Sequence, residues 1–146
     1  MKIRINYIPP NWNKYIDIER SNMFASNNLK QKEKKIVRLS TIGNKYEGNY
    51  PVKITFKPHF KDFRQDLDNF RYKGLLDGLV FSQVIKNDNL KHIQKIEIEP
   101  IFDKEECVDI EIEEIWAKKK MLDLEKSAVG TKEKNVIHYT SKKIKN

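Results

Sequence analysis

Hydrophobic and polar residues alternate in four short stretches of the chain, and this two-residue period predicts four β-strands. In the last stretch, Val108, Ile110 and Ile112 are predicted to face a core, while the acidic residues between them face outward. The connection over residues 100–104 is short, so the last two strands are predicted to be antiparallel neighbours. The predicted strands cover residues 2–8, 50–56, 90–98 and 105–115.

A long helix is predicted between the first two strands, over residues 14–42. An interruption is expected near residues 21–28, where several poor helix formers gather. Ile36, Leu39 and Ile42 have the spacing of one apolar stripe. Most charged residues on the polar side are basic, which is typical either of a helix that follows a phosphate backbone or of an ordinary solvated face.

A central helix is predicted over residues 67–84, with Leu76, Leu79 and Val80 on its buried side. A polar connection precedes it, in which His59 either contacts a phosphate or has no function. These elements predict an α/β (α+β) fold. It comprises a small mixed sheet of about four strands, a long basic N-terminal helix and a central helix that carries the metal-site motif described below at its start.

Length and charge narrow the range of functions. A chain of 146 residues predicts one domain, which we place at residues 1–116, followed by a basic extension over residues 117–146. The net charge of +8 and the isoelectric point of about 9.4 favour a polyanionic partner. Nucleic acid is the first expectation, an anionic membrane surface the second, and a basic protein without such a partner the third.

Cysteine content and hydropathy indicate the compartment. Cys107 is the only cysteine, so an intramolecular disulfide is excluded and a zinc site built on cysteines is not expected. The N-terminal residues have no long apolar run, and no segment approaches ~18 consecutive apolar residues, the length of a membrane span. We therefore expect a cytoplasmic protein that does not contact a membrane.

Three aspartates flank the predicted central helix. Asp66 and Asp68 lie at its start, separated by one residue, so they share one side of an extended turn, and Asp88 follows the helix. Mg²⁺ is typically held by a few carboxylates, with the remaining positions left to water and phosphate, and it can both neutralise a phosphodiester and activate water. The pattern predicts metal-dependent phosphate chemistry if the three side chains converge, or only capping and turn formation if they do not.

Taken together, the residues from Asp66 to Asp88 resemble the RusA family of Holliday junction resolvases. The core motif of that family runs roughly D-x-D-N-x-x-K-x-x-x-D-x-L and is followed by a pair of aspartates. The resemblance extends more loosely over about residues 1–114 and leaves the tail unexplained. The matching positions are Asp66, Leu67, Asp68, Asn69, Lys73, Asp77, Leu79 and Asp88.

The resemblance implies a small α/β homodimer that uses Mg²⁺ or Mn²⁺ to nick four-way DNA junctions symmetrically. It implies that Asp66, Asp68 and Asp88 are catalytic metal ligands and that Lys73 is the essential lysine. A two-fold dimer suits this reaction, because two symmetric cuts need two active sites. The basic residues predicted to contact DNA are Lys30, Lys32, Lys34, Lys35, Arg38, Arg64 and Arg71.

The chain departs from the family pattern at two positions. Asn87 stands where the aspartate pair has its first member, and one extra residue separates Asn69 from Lys73. On a helix that is regular from Asp68, Arg71 lies nearer to the aspartate than Lys73 does. Either the turn or a π-bulge absorbs the extra residue and Lys73 is the catalytic cation, or Arg71 takes that role.

Two other functions are weighed against a junction nuclease. A binding module on the same fold would use the basic surface to hold branched DNA without cutting it, and measurable metal-dependent nicking separates the two. A peripheral membrane protein is disfavoured, because no strongly amphipathic helix with a Trp or Phe face stands out in the sequence.

Overall fold

The computed structural model describes residues 1–115, which form a five-stranded sheet, three α-helices and a single 3₁₀ turn. The predicted basic extension, residues 117–146, lies outside this range. The strands are β1 (Lys2–Ile5), β2 (Val52–Phe60), β3 (Ile93–Ile98), β4 (Ile101–Phe102) and β5 (Val108–Glu114). The helices are α1 (Trp12–Ser21), α2 (Met23–Ser40) and α3 (Lys73–Phe81), and the 3₁₀ turn is Leu67–Asn69.

The sheet is mixed, which confirms the predicted α+β fold. Its strand order is β1-β5-β2-β3, and β4 pairs with the end of β2. Strand β5 is antiparallel to β1 and β2, whereas β3 and β4 are parallel to β2. In register, Ile54 of β2 lies between Ile96 of β3 and Ile112 of β5.

The predicted hairpin between the last two long strands is wrong. Strands β3 and β5 are not neighbours, because each pairs with a different side of β2. Helix α3 lies between β2 and β3 in the chain and carries it back for a parallel pairing. The short connection at residues 103–107 therefore crosses past the end of β2 instead of forming a tight turn.

The predicted break in the long N-terminal helix is confirmed, and it lies at Asn22. This residue has an extended backbone, and its side chain accepts hydrogen bonds from the backbone N–H groups of Phe24 and Ala25. It therefore caps the start of α2, an arrangement that satisfies backbone donors which a helix leaves unpaired. Asn11 caps α1 in the same way, with its Oδ1 accepting from Lys14 N at 2.9 Å.

The predicted apolar stripe on the long helix is wrong. Leu39 and Ile42 are 70% and 74% exposed, whereas Val37 is fully buried. Helix α2 is turned so that Val37 packs against Gly78 of α3, where an added Cβ would lie 2.6 Å from Val37 Cγ2. The glycine on α3 thus allows the two helices to approach closely and decides which face of α2 is buried.

The central helix begins at Lys73, six residues later than predicted. The segment before it forms the 3₁₀ turn, and the chain then extends at Phe70. Phe70 is buried and its ring packs edge-on against Phe60 of β2, with centroids 6.3 Å apart. Anchoring this side chain in the core diverts the backbone before α3 starts. Leu76 and Leu79 are buried as predicted.

The face of the sheet that lies opposite the core carries ordered ion pairs. Lys53 of β2 contacts Glu97 of β3 and Glu113 of β5, each at 3.0 Å. Lys57, also of β2, contacts Glu99 at 3.3 Å and Glu111 at 3.2 Å. The acidic residues of the strands are therefore balanced by lysines of the central strand. Among residues 1–115, no helix combines the length and the apolar character needed to cross a membrane.

Candidate active site

Lys73 and Asp88 meet at the start of α3. Lys73 is the first residue of the helix, and its Nζ lies 2.8 Å from Asp77 Oδ1 and 2.7 Å from Asp88 Oδ2. Asp77 lies one helical turn further along, where an i,i+4 pair naturally meets. Asp88 comes from the loop that follows the helix. The structure therefore joins one predicted metal ligand to the predicted catalytic lysine.

Local features of the loop after α3 bring Asp88 back to the helix start. Gln83 adopts a left-handed backbone with φ of +60°, which reverses the chain at the end of the helix. Val84 and Ile85 then enter the core and fix the loop. Asn87 Oδ1 accepts hydrogen bonds from the N–H groups of Asp88 and of the residue after it, at 2.8 and 3.3 Å. The asparagine at the departure from the family motif thus shapes the turn that presents Asp88.

The ion pair keeps both partners charged. Burial lowers the pKa of Lys73, but its hydrogen bonds to Asp77 and Asp88 outweigh this effect and leave the pKa above its ordinary value. The hydrogen bond from Lys73 holds the pKa of Asp88 below its ordinary value. At neutral pH Lys73 and Asp88 are therefore both charged.

The other two predicted ligands, Asp66 and Asp68, lie at the 3₁₀ turn and are exposed. Within residues 1–115 their carboxylates have no hydrogen-bond or ion-pair partner, and Asp66 does not cap the turn. The turn itself is tied to the start of α1, because Asn69 Oδ1 accepts a hydrogen bond from Asn13 N at 3.2 Å. These two carboxylates are thus free to accept a cation.

The structure does not draw the three predicted ligands into one compact group. Two groups of three potential ligand side chains in residues 1–115 have their ligand atoms within 4.8 Å of one another, and both are built around His59. Asp66, Asp68 and Asp88 form no such group. Their exposed carboxylate oxygens are the donors that Mg²⁺ and Mn²⁺ prefer, so the donor set fits the predicted metal in kind although the three are not gathered.

Lys73 lines a cleft of about 250 Å³ between the N-terminal helices and the start of α3. Two aromatic side chains form part of its wall, Trp12 and Tyr15, with ring centroids 6.0 Å apart in an edge-on arrangement. Two predicted DNA contacts, Lys30 and Lys34 of α2, line the same cleft. Cations beside aromatic rings are typical of surfaces that bind single-stranded nucleic acid. The sequence analysis missed both aromatic residues, because nothing in their spacing relates them to Lys73.

Arg71 was predicted to contact DNA, but the structure places it in a buried ion pair. Its side chain is only 3% exposed and forms an ion pair with Glu33 of α2, which is itself fully buried. The guanidinium also lies 4.4 Å from the centroid of the Tyr15 ring and donates from Nε to the carbonyl of Pro10. Arg71 therefore forms part of the cleft wall, but its charge is already engaged by protein groups. The burial of Glu33, the partner of Arg71, was not predicted either.

Gly74 explains how the buried pair fits beneath the cleft. A Cβ added at Gly74 would overlap Glu33 Oε2 and approach an Arg71 nitrogen at 3.1 Å. The other oxygen of Glu33 receives the arginine, and Oε2 itself has no hydrogen-bond partner among residues 1–115. The missing side chain at this position therefore leaves room for the carboxylate. A glycine inside a helix often marks such a close approach of a neighbouring element.

The residues between Asn69 and Lys73 lie outside the helix, because Phe70 is extended and α3 begins only at Lys73. Lys73 therefore stands with Asp88, while Arg71 points into the protein. The remaining predicted DNA contacts keep their place on the surface: Lys32, Lys35, Arg38 and Arg64 are exposed, and Arg64 pairs with neighbouring Asp62 at 2.7 Å.

The predicted location of His59 is also wrong. It was predicted to lie in a polar connection, but β2 extends through it to Phe60 and the side chain is buried. Its two ring nitrogens contact Asp103 and Asp109 at 2.6 and 3.1 Å. The two-residue alternation in fact continues past Lys57, and Pro58 within it hid the strand from prediction.

Two comparisons with known proteins found no relative of this chain. Scanning models of protein families against the chain finds no match, and a search of curated proteins finds none that is similar.

Proposed function

We propose that this protein is a metal-dependent endonuclease of the RusA type, which resolves Holliday junctions and related branched DNA by paired symmetric nicks. The observation that supports it best is the contact between Lys73 and Asp88 across 15 residues of sequence, at the edge of a cationic cleft. The motif resemblance requires these two side chains to work together. The cleft that the pair adjoins is lined by further cations and two aromatic rings, which suits a nucleic-acid ligand.

The proposal gives each charged group of the site a role. Asp66, Asp68 and Asp88 would hold Mg²⁺ or Mn²⁺, and such a metal supplies charge neutralisation and an activated water for phosphodiester cleavage. Lys73, already directed to this place by Asp77, stabilises the negative charge that grows on the scissile phosphate. The carboxylates of Asp66 and Asp68, which have no partner among residues 1–115, are available for this purpose, whereas Asp88 is held by Lys73 until the site assembles.

The basic surface of α2 extends the site into a path for DNA. Lys30 and Lys34 lie in the cleft with Lys73, while Lys32 and Lys35 are exposed on the same helix. If a dimer engages six or more phosphates, its affinity falls roughly a thousandfold or more between about 50 and 200 mM salt. A flat salt response in a binding titration would argue against this path.

The proposal includes a homodimer and a cytoplasmic location. Two active sites related by a two-fold axis match the pseudo-two-fold symmetry of a four-way junction, so each protomer would cut one strand. The thiol of Cys107 is free and buried, as suits a reducing compartment.

The decisive experiment is a cleavage assay on a synthetic four-way junction against linear duplex DNA of the same sequence, with Mg²⁺, Mn²⁺ or a chelator. We expect junction-specific nicking that requires metal. Asp66→Asn, Asp68→Asn and Asp88→Asn should each abolish nicking but preserve binding, because each removes a negative charge near phosphate. Asp17→Asn, at an exposed aspartate of α1 outside the motif, serves as the matched control. Full cutting by any two of the aspartate variants would overturn the metal assignment.

A second candidate is a branched-DNA-binding module that does not cut. The observation in its favour is that Lys73 neutralises Asp88, while the three aspartates are not gathered into one ligand group. In that case junction binding would be tight and salt-dependent in every aspartate variant, and no nicking would accompany it with either metal. The same assay therefore separates the two functions.

A further inference from the structure

A second polar cluster lies on the outer face of the sheet, away from the candidate active site. His59 of β2 is at its centre, 3% exposed, between Asp103 of the β4–β5 connection and Asp109 of β5. Cys107, also 3% exposed, and Glu105 complete it. The nuclease proposal uses none of these side chains.

The histidine is oriented as metal-binding histidines usually are. Its Nδ1 donates to Asp103 Oδ2 at 2.6 Å, and Asp103 is held in turn, because its Oδ1 accepts from Glu105 N at 2.8 Å. A carboxylate that receives one ring N–H fixes the imidazole and leaves the other nitrogen to bind a metal. In His59 that second nitrogen, Nε2, faces Asp109 Oδ2 at 3.1 Å.

Three different ligand types converge at the His59 ring. A ring nitrogen of His59, the sulfur of Cys107 and a carboxylate oxygen of Asp109 lie within 4.8 Å of one another. Ligand atoms around a tetrahedral Zn²⁺ are roughly 3.3–3.8 Å apart, given bonds of about 2.0–2.3 Å. Contraction by about an ångström would therefore complete the geometry. The Glu105 Oε2 atom lies 3.4 Å from Cys107 Sγ and offers an oxygen for a fourth position.

Charge in the cluster is also suited to a divalent cation. Three carboxylates, Asp103, Glu105 and Asp109, face the guanidinium of Arg4 and the His59 ring. A divalent ion that displaces one proton from the ring and one from the thiol leaves the net charge of the cluster unchanged. Arg4 contacts both oxygens of Asp109, at 2.7 and 2.8 Å, and can keep these contacts as a hydrogen-bonding neighbour of a ligand.

We propose that His59, Cys107 and Asp109 form a binding site for a thiophilic divalent metal, Zn²⁺ being the best match, with Glu105 as the fourth ligand and Asp103 orienting the histidine. Sulfur and imidazole ligands favour Zn²⁺ over Mg²⁺, so this site and the candidate active site select different metals. The site would fasten the connection at residues 103–107 to the end of β2 and the start of β5.

The test is metal binding by the full-length protein, with Co²⁺ as the spectroscopic probe and Zn²⁺ as its competitor. We expect one Co²⁺ per chain, with the absorption band of a thiolate-to-cobalt bond, and stoichiometric displacement by Zn²⁺. Bound Zn²⁺ should also raise the melting temperature. Cys107→Ser should remove the band, and Asp103→Asn should weaken Zn²⁺ binding by roughly 10- to 100-fold while keeping the band.

Two controls keep this inference independent of the nuclease proposal. Asp66→Asn/Asp68→Asn/Asp88→Asn should bind Zn²⁺ as wild type does, and so should His92→Gln, a surface histidine elsewhere. His59→Gln should lose binding, with circular dichroism confirming that the variant is folded. The inference is overturned if wild type takes up no Co²⁺, or if Zn²⁺ binding is unchanged in both Cys107→Ser and Asp103→Asn. The cluster would then be an ion-pair network only.

Discussion

Arg71 and Lys73 are two residues apart, and each pairs with a carboxylate from a distant part of the chain. Arg71 meets Glu33 inside the protein, where both side chains are almost completely buried. Lys73 meets Asp88 at the edge of the cleft, where its side chain is 46% exposed. The same type of contact therefore occurs in two environments, one closed to solvent and one open to a ligand.

This difference in environment assigns a structural role to the buried ion pair and a functional role to the exposed one. A buried ion pair depends on both partners, because removing one leaves an uncompensated charge away from water. An exposed pair contributes little to stability, since water solvates both ions and salt screens them. We infer that Arg71 and Glu33 fix α2 against α3, while Lys73 and Asp88 are free to exchange partners with a phosphate or a metal.

The largest expected effect is on stability at Arg71. Arg71→Ala should lower the free energy of unfolding by about 3–5 kcal/mol, because Glu33 is left buried without its cation. Lys73→Ala should lower it by at most about 1 kcal/mol. Chemical denaturation followed by circular dichroism measures both.

A double variant tests the reason for that effect. Arg71→Met/Glu33→Leu removes both charges and should be much closer in stability to wild type than Arg71→Ala is, since replacing a buried pair by apolar side chains is often neutral. Equal stability losses for Arg71→Ala and Lys73→Ala would contradict the distinction between the two pairs.

A smaller effect is expected where α2 and α3 touch. Gly78→Ala would place a methyl group 2.7 Å from Val37 Cβ, so the two helices must separate. Alanine normally stabilises a helix interior relative to glycine by up to about 1 kcal/mol. Here overpacking should dominate and destabilise the protein by about 1–3 kcal/mol. Thermal melting of Gly78→Ala checks this. Gly78→Ala/Val37→Ala removes the two Cγ methyl groups at 2.6 and 3.1 Å but keeps Val37 Cβ, so it should relieve only part of the overpacking.

The sequence anticipated elements whose signal is local. The alternation in β5 and the break at Asn22 both follow from a few adjacent residues, and the structure has them where they were predicted. Lys73 and Asp88 were predicted to act together from a motif. Their contact depends on the turn at Gln83, which no periodicity shows.

Features that depend on how elements pack were not predicted. The burial of Arg71 needs a close approach of α2 and α3, which the two glycines of α3 permit. The pairing of β3 with β2 was missed because parallel partners are distant in sequence, and the hairpin rule considers only neighbours. The cluster around His59 likewise joins β2 to residues more than 40 positions later.

The lysines of α2 extend the comparison to DNA binding. Lys30→Gln/Lys34→Gln changes two cations that line the cleft with Lys73, and it should reduce the salt slope of junction binding by about two. Lys32→Gln/Lys35→Gln removes the same charge outside the cleft, and its effect on cleavage should be smaller. Fluorescence anisotropy over a salt series, combined with cleavage rates, distinguishes the two variants. Identical losses in both would show that the cleft has no special role.

Tyr7 gives the smallest effect and reports on the buried pair directly. Its hydroxyl donates to Glu33 Oε1 at 3.4 Å, and burial, followed by the charge of Glu33, raises its pKa to about 12. A group whose pKa is raised by folding stabilises the protein fully below its ordinary pKa of 10.0, and this contribution is lost as the pH rises towards about 12. Tyr7→Phe should be less sensitive to pH in that window. Unfolding curves measured between pH 10 and about 12 test this, with tyrosinate absorbance as a second readout. An equal loss of stability with pH in wild type and Tyr7→Phe would contradict the assignment.

Single-turnover cleavage of a four-way junction at saturating enzyme tests most directly whether Lys73 is the functional cation and Arg71 the structural one. Saturation ensures that lost binding is not mistaken for lost chemistry. Lys73→Ala should cut at least roughly a hundredfold more slowly than wild type, which corresponds to about 2.7 kcal/mol of transition-state stabilisation. Arg71→Met/Glu33→Leu, if it folds as expected, should cut within a few-fold of the wild-type rate. A wild-type rate in Lys73→Ala, together with a large loss in the folded double variant, would contradict the account.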